Sequence, residues 1–323
     1  MKLCEFLPSE PDLLWQYSLQ LGVTHAICKC APELTGLNAP WDIDALRTVQ
    51  KRFTDAGITL YGLEGDQFDM TRIKLGLDGR DEDIERYKQM LANMGELGIP
   101  LICYNFMAGI GWHRNNDGAP SRGGARVTSF DLADVPEGLT EHGEVSEERM
   151  WENYTYFIQN VMPAAEAAGV RMGMHPDDPP LPSLRGIGRI LYTPENFDRA
   201  LGLVSSPSHG VTYCQANFGL MNADHENWIP HFGKQDKLFF VHFRDVKGTA
   251  ERFEETFHDN GPTDMARVLR LYHESGFDGP IRVDHVPTLA GEANDKPGYG
   301  NLGRLYAIGY LKGMLQALDI PVE

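Results

Sequence analysis

Short apolar segments alternate with segments of helical spacing along the whole chain. Eight apolar segments rich in β-forming residues predict strands at 2–6, 24–29, 59–64, 101–107, 171–175, 210–216, 238–244 and 280–285. Several of these segments are apolar at nearly every position. That pattern is typical of strands buried on both faces of a parallel sheet.

Between the predicted strands, apolar residues recur every three or four positions and predict amphipathic helices. One such pattern ends at Gly98, a second follows Ser146, a third is preceded by Thr263 as a possible cap, and a fourth occupies 302–315. Repeated strand–helix units without a break in composition indicate parallel strands joined by right-handed crossovers. We therefore predict an α/β fold in which residues 1–323 form one (β/α)8 TIM barrel, with an open doubly wound sheet as the alternative.

One long stretch, 108–142, interrupts this pattern and is predicted to be irregular, since it is rich in Gly. A loop of that length in a compact enzyme is usually an active-site cover or an assembly element. In a barrel it would follow the fourth strand, on the face where active sites lie. We expect an inserted loop that covers the C-terminal face.

The charge balance limits the partners. The chain has 29 Lys and Arg against 46 Asp and Glu, a net charge of −17, which argues against nucleic acid and anionic lipid as partners. A small anion can still bind where a few cationic side chains meet. No apolar run approaches the roughly 20 residues of a membrane helix. The five cysteines lie mostly in apolar runs, so we expect reduced thiols and a cytoplasmic protein.

Side chains that bind metals lie at the ends of four successive predicted strands. They are His175, Cys214, His242 and Asp284. Because adjacent strands lie roughly 5 Å apart, these groups can converge above the barrel. Two imidazoles, a thiol and a carboxylate make a plausible site for a divalent metal. Ligand softness fits Zn²⁺, whereas additional water or substrate oxygens would allow Mn²⁺ or Fe²⁺.

Three motifs resemble those of the mannonate dehydratase family, which are xylose-isomerase-like TIM barrels. They are Cys-Tyr-Asn-Phe-Met at 103–107, His-Pro-Asp-Asp-Pro-Pro at 175–180 and Gly-Pro-Ile-Arg-Val-Asp-His at 279–285. Shorter pieces, such as Ile-Lys-Leu-Gly at 73–76, agree in order, and the resemblance spans nearly the whole chain. It implies removal of water from D-mannonate to give 2-keto-3-deoxy-D-gluconate, with Mn²⁺ or Fe²⁺ favoured over Zn²⁺.

The resemblance also assigns roles to residues. It places metal ligands at His175, Cys214, His242 and Asp284, the four that the strand ends indicate. It places acid–base chemistry at His285 and Tyr299, without deciding which is the base. His285 follows a ligand directly, so it needs a local break in the strand to reach the same cleft.

The substrate carboxylate and hydroxyls need hydrogen-bond donors. We expect Arg114, with His113 beside it, to bind the carboxylate, and we expect Arg244 and Asn105 to contribute further contacts. Asp177 and Asp178 could orient His175 or could simply form a turn. The resemblance and the long loop also imply a homo-oligomer.

Three readings remain open. The chain departs from the family at Ala108, where Pro is usual, and at His113, where Thr is usual. Both positions lie in the long loop, so a different aldonic acid is an alternative substrate. A sugar isomerase or epimerase of the same superfamily is the second alternative, although Glu64 is the only Glu at these strand ends. A sugar-acid binding protein with a closed, structural metal site is the third.

Overall fold

Eight parallel strands close into a barrel in the computed structural model, which describes residues 1–323. The strands in chain order are β1 (Lys2–Phe6), β2 (His25–Cys28), β3 (Thr59–Glu64), β4 (Leu101–Tyr104), β5 (Asn116–Pro120), β6 (Arg126–Asp131), β7 (Arg171–Met174), β8 (Ser183–Leu184), β9 (Ile187–Gly188), β10 (His209–Cys214), β11 (Leu238–Phe243), β12 (Val246–Thr249), β13 (Arg252–Glu255) and β14 (Pro280–Val283). The helices are α1 (Leu13–Gln20), α2 (Pro32–Thr35), α3 (Ile43–Asp55), α4 (Thr71–Leu75), α5 (Arg80–Glu96), α6 (Glu147–Ala168), α7 (Pro194–Gly202), α8 (Gln215–Leu220), α9 (His225–Lys234), α10 (Met265–Glu274) and α11 (Asn301–Ala317).

The barrel contains the eight predicted strands in their chain order. Around the barrel the order is β1, β2, β3, β4, β7, β10, β11 and β14, and β14 pairs again with β1. Every pair is parallel, with the longer helices outside. The predicted TIM barrel is confirmed, and the open doubly wound sheet is excluded because the sheet closes on itself.

The helix ends follow from local hydrogen bonding. The Ser146 side chain accepts from the Arg149 amide and caps α6, as its sequence position indicates. Helix α10 is capped by Asp264, not by Thr263, because Asp264 accepts from the Arg267 amide. Thr263 instead donates its hydroxyl to the Asp245 carboxylate. The sequence therefore located this helix correctly but placed its cap one residue early.

The segment 108–142 is not irregular throughout. It contains β5 and β6, which pair antiparallel and continue through β13 to β12 in a four-stranded accessory sheet. The expectation of a structureless stretch was wrong at these strands, since β6 gains its hydrogen bonds from β13, a strand far along the chain. The accessory sheet lies beside the C-terminal ends of the barrel strands.

Alternation along the strands divides the buried residues between two environments. On β14, Ile281 and Val283 join the large core of 67 residues between barrel and helices. Arg282 between them, and Asp284 beyond the strand end, instead line a cavity at the barrel mouth.

None of the helices combines the length and the apolar character that a membrane-spanning helix requires.

Candidate metal centre and active site

A cavity of about 130 Å³ lies at the C-terminal ends of the barrel strands. Its wall combines metal-binding, acid–base and charged side chains from almost every part of the barrel. The residues that line it are Glu64, Gly65, Cys103, Tyr104, Asn105, Met107, Trp112, His175, Asp178, His242, Arg282, Asp284, His285 and Tyr299. This is the face of the barrel that carries the active site in other TIM-barrel enzymes.

Three of the four predicted metal ligands meet at this end of the barrel. The ligand atoms of His175, Cys214 and His242 all lie within 4.8 Å of one another. Each side chain comes from the end of a different strand, β7, β10 and β11, which pair side by side. Convergence therefore follows from the parallel arrangement of the strands.

The hydrogen bonding around these ligands suits a cation. His175 Nδ1 lies 2.7 Å from the Pro176 carbonyl, which can only accept, so Nδ1 carries the proton and Nε2 keeps its lone pair. Burial lowers the pKa of His175, which keeps the ring neutral. Both ring nitrogens of His242 are buried without a hydrogen-bond partner. An unpartnered buried imidazole is costly unless something binds it, so the donor set fits a divalent metal.

Asp284 lies beside the three-residue group. Its Oδ2 is 3.7 Å from His242 Nδ1 and 2.8 Å from Arg244 Nε, and its Oδ1 is 2.9 Å from Arg282 Nη1. Burial raises the pKa of this carboxyl, but the arginines around it, Arg282 and Arg244, hold the pKa well below its usual range. Asp284 is therefore an ionised carboxylate next to the three ligands.

A second group, formed by Glu64, Cys103 and His242, also brings its ligand atoms within 4.8 Å. Glu64 is already engaged, because Arg282 Nη2 lies 2.5 Å from its Oε1 and Arg282 Nε lies 3.1 Å from its Oε2. The His175 group has no such competing cation on its ligand atoms. It is the better candidate for the metal.

His285 and Tyr299 form a hydrogen-bonded pair in the cavity wall. His285 Nε2 lies 3.0 Å from the Tyr299 hydroxyl, and that hydroxyl lies 3.5 Å from Asp284 Oδ1. Strand β14 ends at Val283, so Asp284 and His285 are no longer constrained to opposite faces. Burial raises the pKa of Tyr299, and the phenol therefore keeps its proton at neutral pH.

Asn105 reaches the cavity with a defined amide orientation. Its Oδ1 accepts from Lys74 Nζ at 2.9 Å and from the Met107 amide at 3.1 Å. Because an ammonium group can only donate, the atom that faces Lys74 is the amide oxygen. The amide NH₂ group is left as the donor toward the cavity.

The three other predicted substrate contacts do not line the cavity. The side chains of Arg114 and Arg244 are at most 1% exposed and bind the carboxylates of Asp178 and Glu255. His113 packs edge-on against the Phe130 ring on the accessory sheet. The donors of both arginines are engaged by carboxylates of the protein itself, and a role of these three residues in substrate binding stays a prediction.

The two aspartates after His175 have different partners from those considered. Asp177 accepts from the backbone amides of Ile190 and Leu191 and stabilises the chain there. Asp178 binds Arg114, with Oδ1 2.6 Å from Nη1. Neither aspartate hydrogen-bonds to His175, whose Nδ1 is held by the Pro176 carbonyl instead.

Sequence reasoning missed several residues around the site. Arg282 stands two positions before Asp284 in the predicted strand 280–285, and this spacing predicts that both lie on one face. Lys74 belongs to a quoted motif, but its contact with Asn105 spans 31 positions. Glu255 had no sequence signal at all, since it reaches His285 from the accessory sheet.

Comparison with known proteins gives a consistent result. The family model for D-mannonate dehydratase (UxuA) matches residues 22–142 and 132–322. Mannonate dehydratase 2 of Halalkalibacterium halodurans is 37% identical over 275 residues, covering 76% of this chain and 79% of its own. Mannonate dehydratase of Thermotoga maritima is 31% identical over 318 residues, covering 86% and 87%.

Solved structures with the same fold include a mannonate dehydratase and a sugar epimerase. The mannonate dehydratase of Streptococcus suis serotype2 superposes with a TM-score of 0.88 at 29% identity, covering 98% of this chain and 93% of its own. A D-psicose 3-epimerase superposes with a TM-score of 0.62 at 14% identity, covering 98% and 99%, which shows a shared fold only.

Proposed function

Because the chain belongs to the D-mannonate dehydratase family, we propose that it is a hydro-lyase that converts D-mannonate to 2-keto-3-deoxy-D-gluconate and water. One observation carries the proposal. His175 and His242 of the candidate metal group line the same cavity as the hydrogen-bonded pair of His285 and Tyr299. Dehydration next to a carboxylate needs both charge stabilisation and proton transfer.

The proposed metal ligands are His175, Cys214, His242 and Asp284. A divalent cation bound there would stabilise the negative charge that develops on the substrate when the weakly acidic C2 proton leaves. Softness of the donors alone fits Zn²⁺, and the preference for Mn²⁺ or Fe²⁺ rests on the family resemblance.

The proposed proton transfers use His285 and Tyr299. Tyr299 keeps its proton and suits the acid that protonates the departing C3 hydroxyl, which leaves as water. His285 suits the base that accepts the C2 proton through Nε2. The two groups lie 3.0 Å apart, so the imidazolium can then return its proton to the phenolate and restore both groups.

Asn105 is the proposed substrate donor, because it alone of the predicted contacts lines the cavity. Trp112 also lines it, with its ring centroid 5.0 Å from that of His285, so we propose that the segment 108–142 covers the bound substrate. Sugar isomerisation or epimerisation is less well supported, since Glu64, the one Glu in the wall, is bound by Arg282.

The test is a product assay on a panel of aldonic acids, with enzyme loaded with Mn²⁺ or Fe²⁺ under reducing conditions. We expect 2-keto-3-deoxy product from D-mannonate, and none from a Tyr299→Phe variant that keeps its metal. Tyr306→Phe, on α11 and outside the cavity, is the matched control. Absence of product from D-mannonate with either metal would refute the proposal. Faster turnover of another aldonate would identify that aldonate as the substrate in place of D-mannonate.

A further inference from the structure

Glu255 is a buried carboxylate that faces the acid–base pair from outside the barrel. It is the last residue of β13 in the accessory sheet and is 1% exposed. Its Oε1 lies 3.0 Å from His285 Nδ1. The other ring nitrogen, Nε2, faces Tyr299, so the imidazole bridges Glu255 and the phenol.

Two arginines fix this carboxylate in place. Arg114 Nη2 lies 2.7 Å from Oε1, and Arg244 Nη1 lies 2.9 Å from each of the two oxygens. Asp178 accepts from both guanidinium groups on their remaining side, at 2.6 Å from Arg114 Nη1 and 2.8 Å from Arg244 Nη2. Two guanidinium groups and two carboxylates thus alternate around Glu255, and the position of Glu255 is determined by several bonds.

The chemistry of the partners decides which nitrogen of His285 carries the proton. Glu255 is surrounded by guanidinium donors and can only accept, so the nitrogen that faces it must be an N–H. A neutral imidazole then has its lone pair on Nε2, the atom next to Tyr299 and the cavity. A carboxylate that holds a catalytic imidazole in the required tautomer and orientation is well known from hydrolases.

We propose that Glu255 is a positioning residue that fixes the tautomer and the ring orientation of His285. The accessory sheet thereby contributes to catalysis, and Arg114 acts through Glu255, not through the substrate. The inference deepens the proposed function, on which it rests for the role of His285 as base.

Glu255→Gln tests the proposal, because it keeps the size of the side chain and removes the charged acceptor. We expect kcat to fall about 100-fold, the lower end of what a positioned general base contributes, with little change in KM or in bound metal. Glu254→Gln is the matched control, since Glu254 precedes it on β13 and is exposed. It should behave as the unchanged protein. A folded Glu255→Gln enzyme with unchanged kcat would overturn the proposal.

A second measurement does not depend on turnover or on the Glu255→Gln variant. In protein labelled with ¹⁵N-histidine, the His285 signals, assigned by their loss in His285→Asn, should show a protonated Nδ1 and an unprotonated Nε2. The opposite tautomer overturns the proposal. If D-mannonate is not a substrate, the proposed function fails, whereas the nitrogen spectrum still tests the tautomer of His285 that the contact with Glu255 requires.

Discussion

Replacing Lys74 by methionine should impair catalysis through Asn105, although Lys74 does not line the cavity. Its side chain is only 2% exposed, and its Nζ donates to Asn105 Oδ1 at 2.9 Å and to Asp66 Oδ2 at 2.7 Å. Methionine has a similar length and keeps the apolar packing of the stem, but it cannot donate. Without the ammonium group, the Asn105 amide can rotate and turn its oxygen toward the substrate.

The magnitude follows from the bonds that are lost and kept. A hydrogen bond to a charged group contributes about 1.5–3 kcal/mol. The Met107 amide still donates to Asn105 Oδ1 at 3.1 Å, so we take the lower end of that range. Since about 1.4 kcal/mol corresponds to a factor of ten, kcat/KM should fall about tenfold. The free energy of unfolding should change by less than the activation free energy, because the Asp66 side chain is 37% exposed and can be hydrated when Lys74 is lost.

The assay is a double-mutant cycle on kcat/KM for D-mannonate, with Lys74→Met, Asn105→Ala and the double variant. If Lys74 acts through Asn105, the double variant should be no slower than Asn105→Ala alone. Lys51→Met, which removes an exposed lysine from α3, is the control and should retain full activity. Two independent, multiplicative losses in the double variant would refute the reasoning.

Three further predictions concern the metal, the packing and the pH dependence. Cys214→Ser should lower the Mn²⁺ or Fe²⁺ retained after dialysis, measured by mass spectrometry; an unchanged metal content would contradict ligation. In α11, Gly303→Ala should lower the free energy of unfolding by about 1–3 kcal/mol, because the new Cβ would overlap the Pro287 carbonyl oxygen. Gly309→Ala has open space around the new Cβ and should raise that free energy by about 0.5–1 kcal/mol. Urea unfolding measures both changes, and equal effects would contradict the packing argument. Burial lowers the pKa of His209 from 6.5 to about 4. Between these two pH values the unfolded chain binds a proton that the folded chain does not. The free energy of unfolding should therefore fall as the pH drops from 6.5 toward 4. His209→Gln should reduce that slope by up to about 1.4 kcal/mol per pH unit, and an unchanged slope in urea unfolding would contradict it.

The barrel could be predicted because its signals are local. Each barrel strand is a short apolar run, and each long helix carries an apolar stripe that a single segment displays without its neighbours. The accessory sheet gives no such signal, since four of the five residues of β5 are exposed and Gly and Pro occur among them. Its strands are stabilised by pairing between 126–131 and 252–255, which no local pattern reveals.

The convergence of the three candidate metal ligands could be predicted for a related reason. His175, Cys214 and His242 come at the ends of strands that neighbour each other along the chain, and parallel strands place their carboxyl ends at one rim. The barrel topology thus brings together side chains that occupy equivalent positions at the ends of successive strands. Asn105, also just beyond a strand end, lines the same cavity for the same reason.

Arg114 shows where this reasoning stops. A guanidinium in a loop over an active site favours a carboxylate partner, and the structure gives it carboxylate partners. The chemistry was right, but the carboxylates belong to Asp178 and Glu255, the latter 141 positions away. Sequence specifies what a side chain can bind, whereas only the folded chain decides whether that partner is a substrate or another residue. If Glu255 positions His285 as proposed, Arg114 supports His285 through Glu255, so substitutions at Arg114 should affect kcat more than KM in steady-state kinetics.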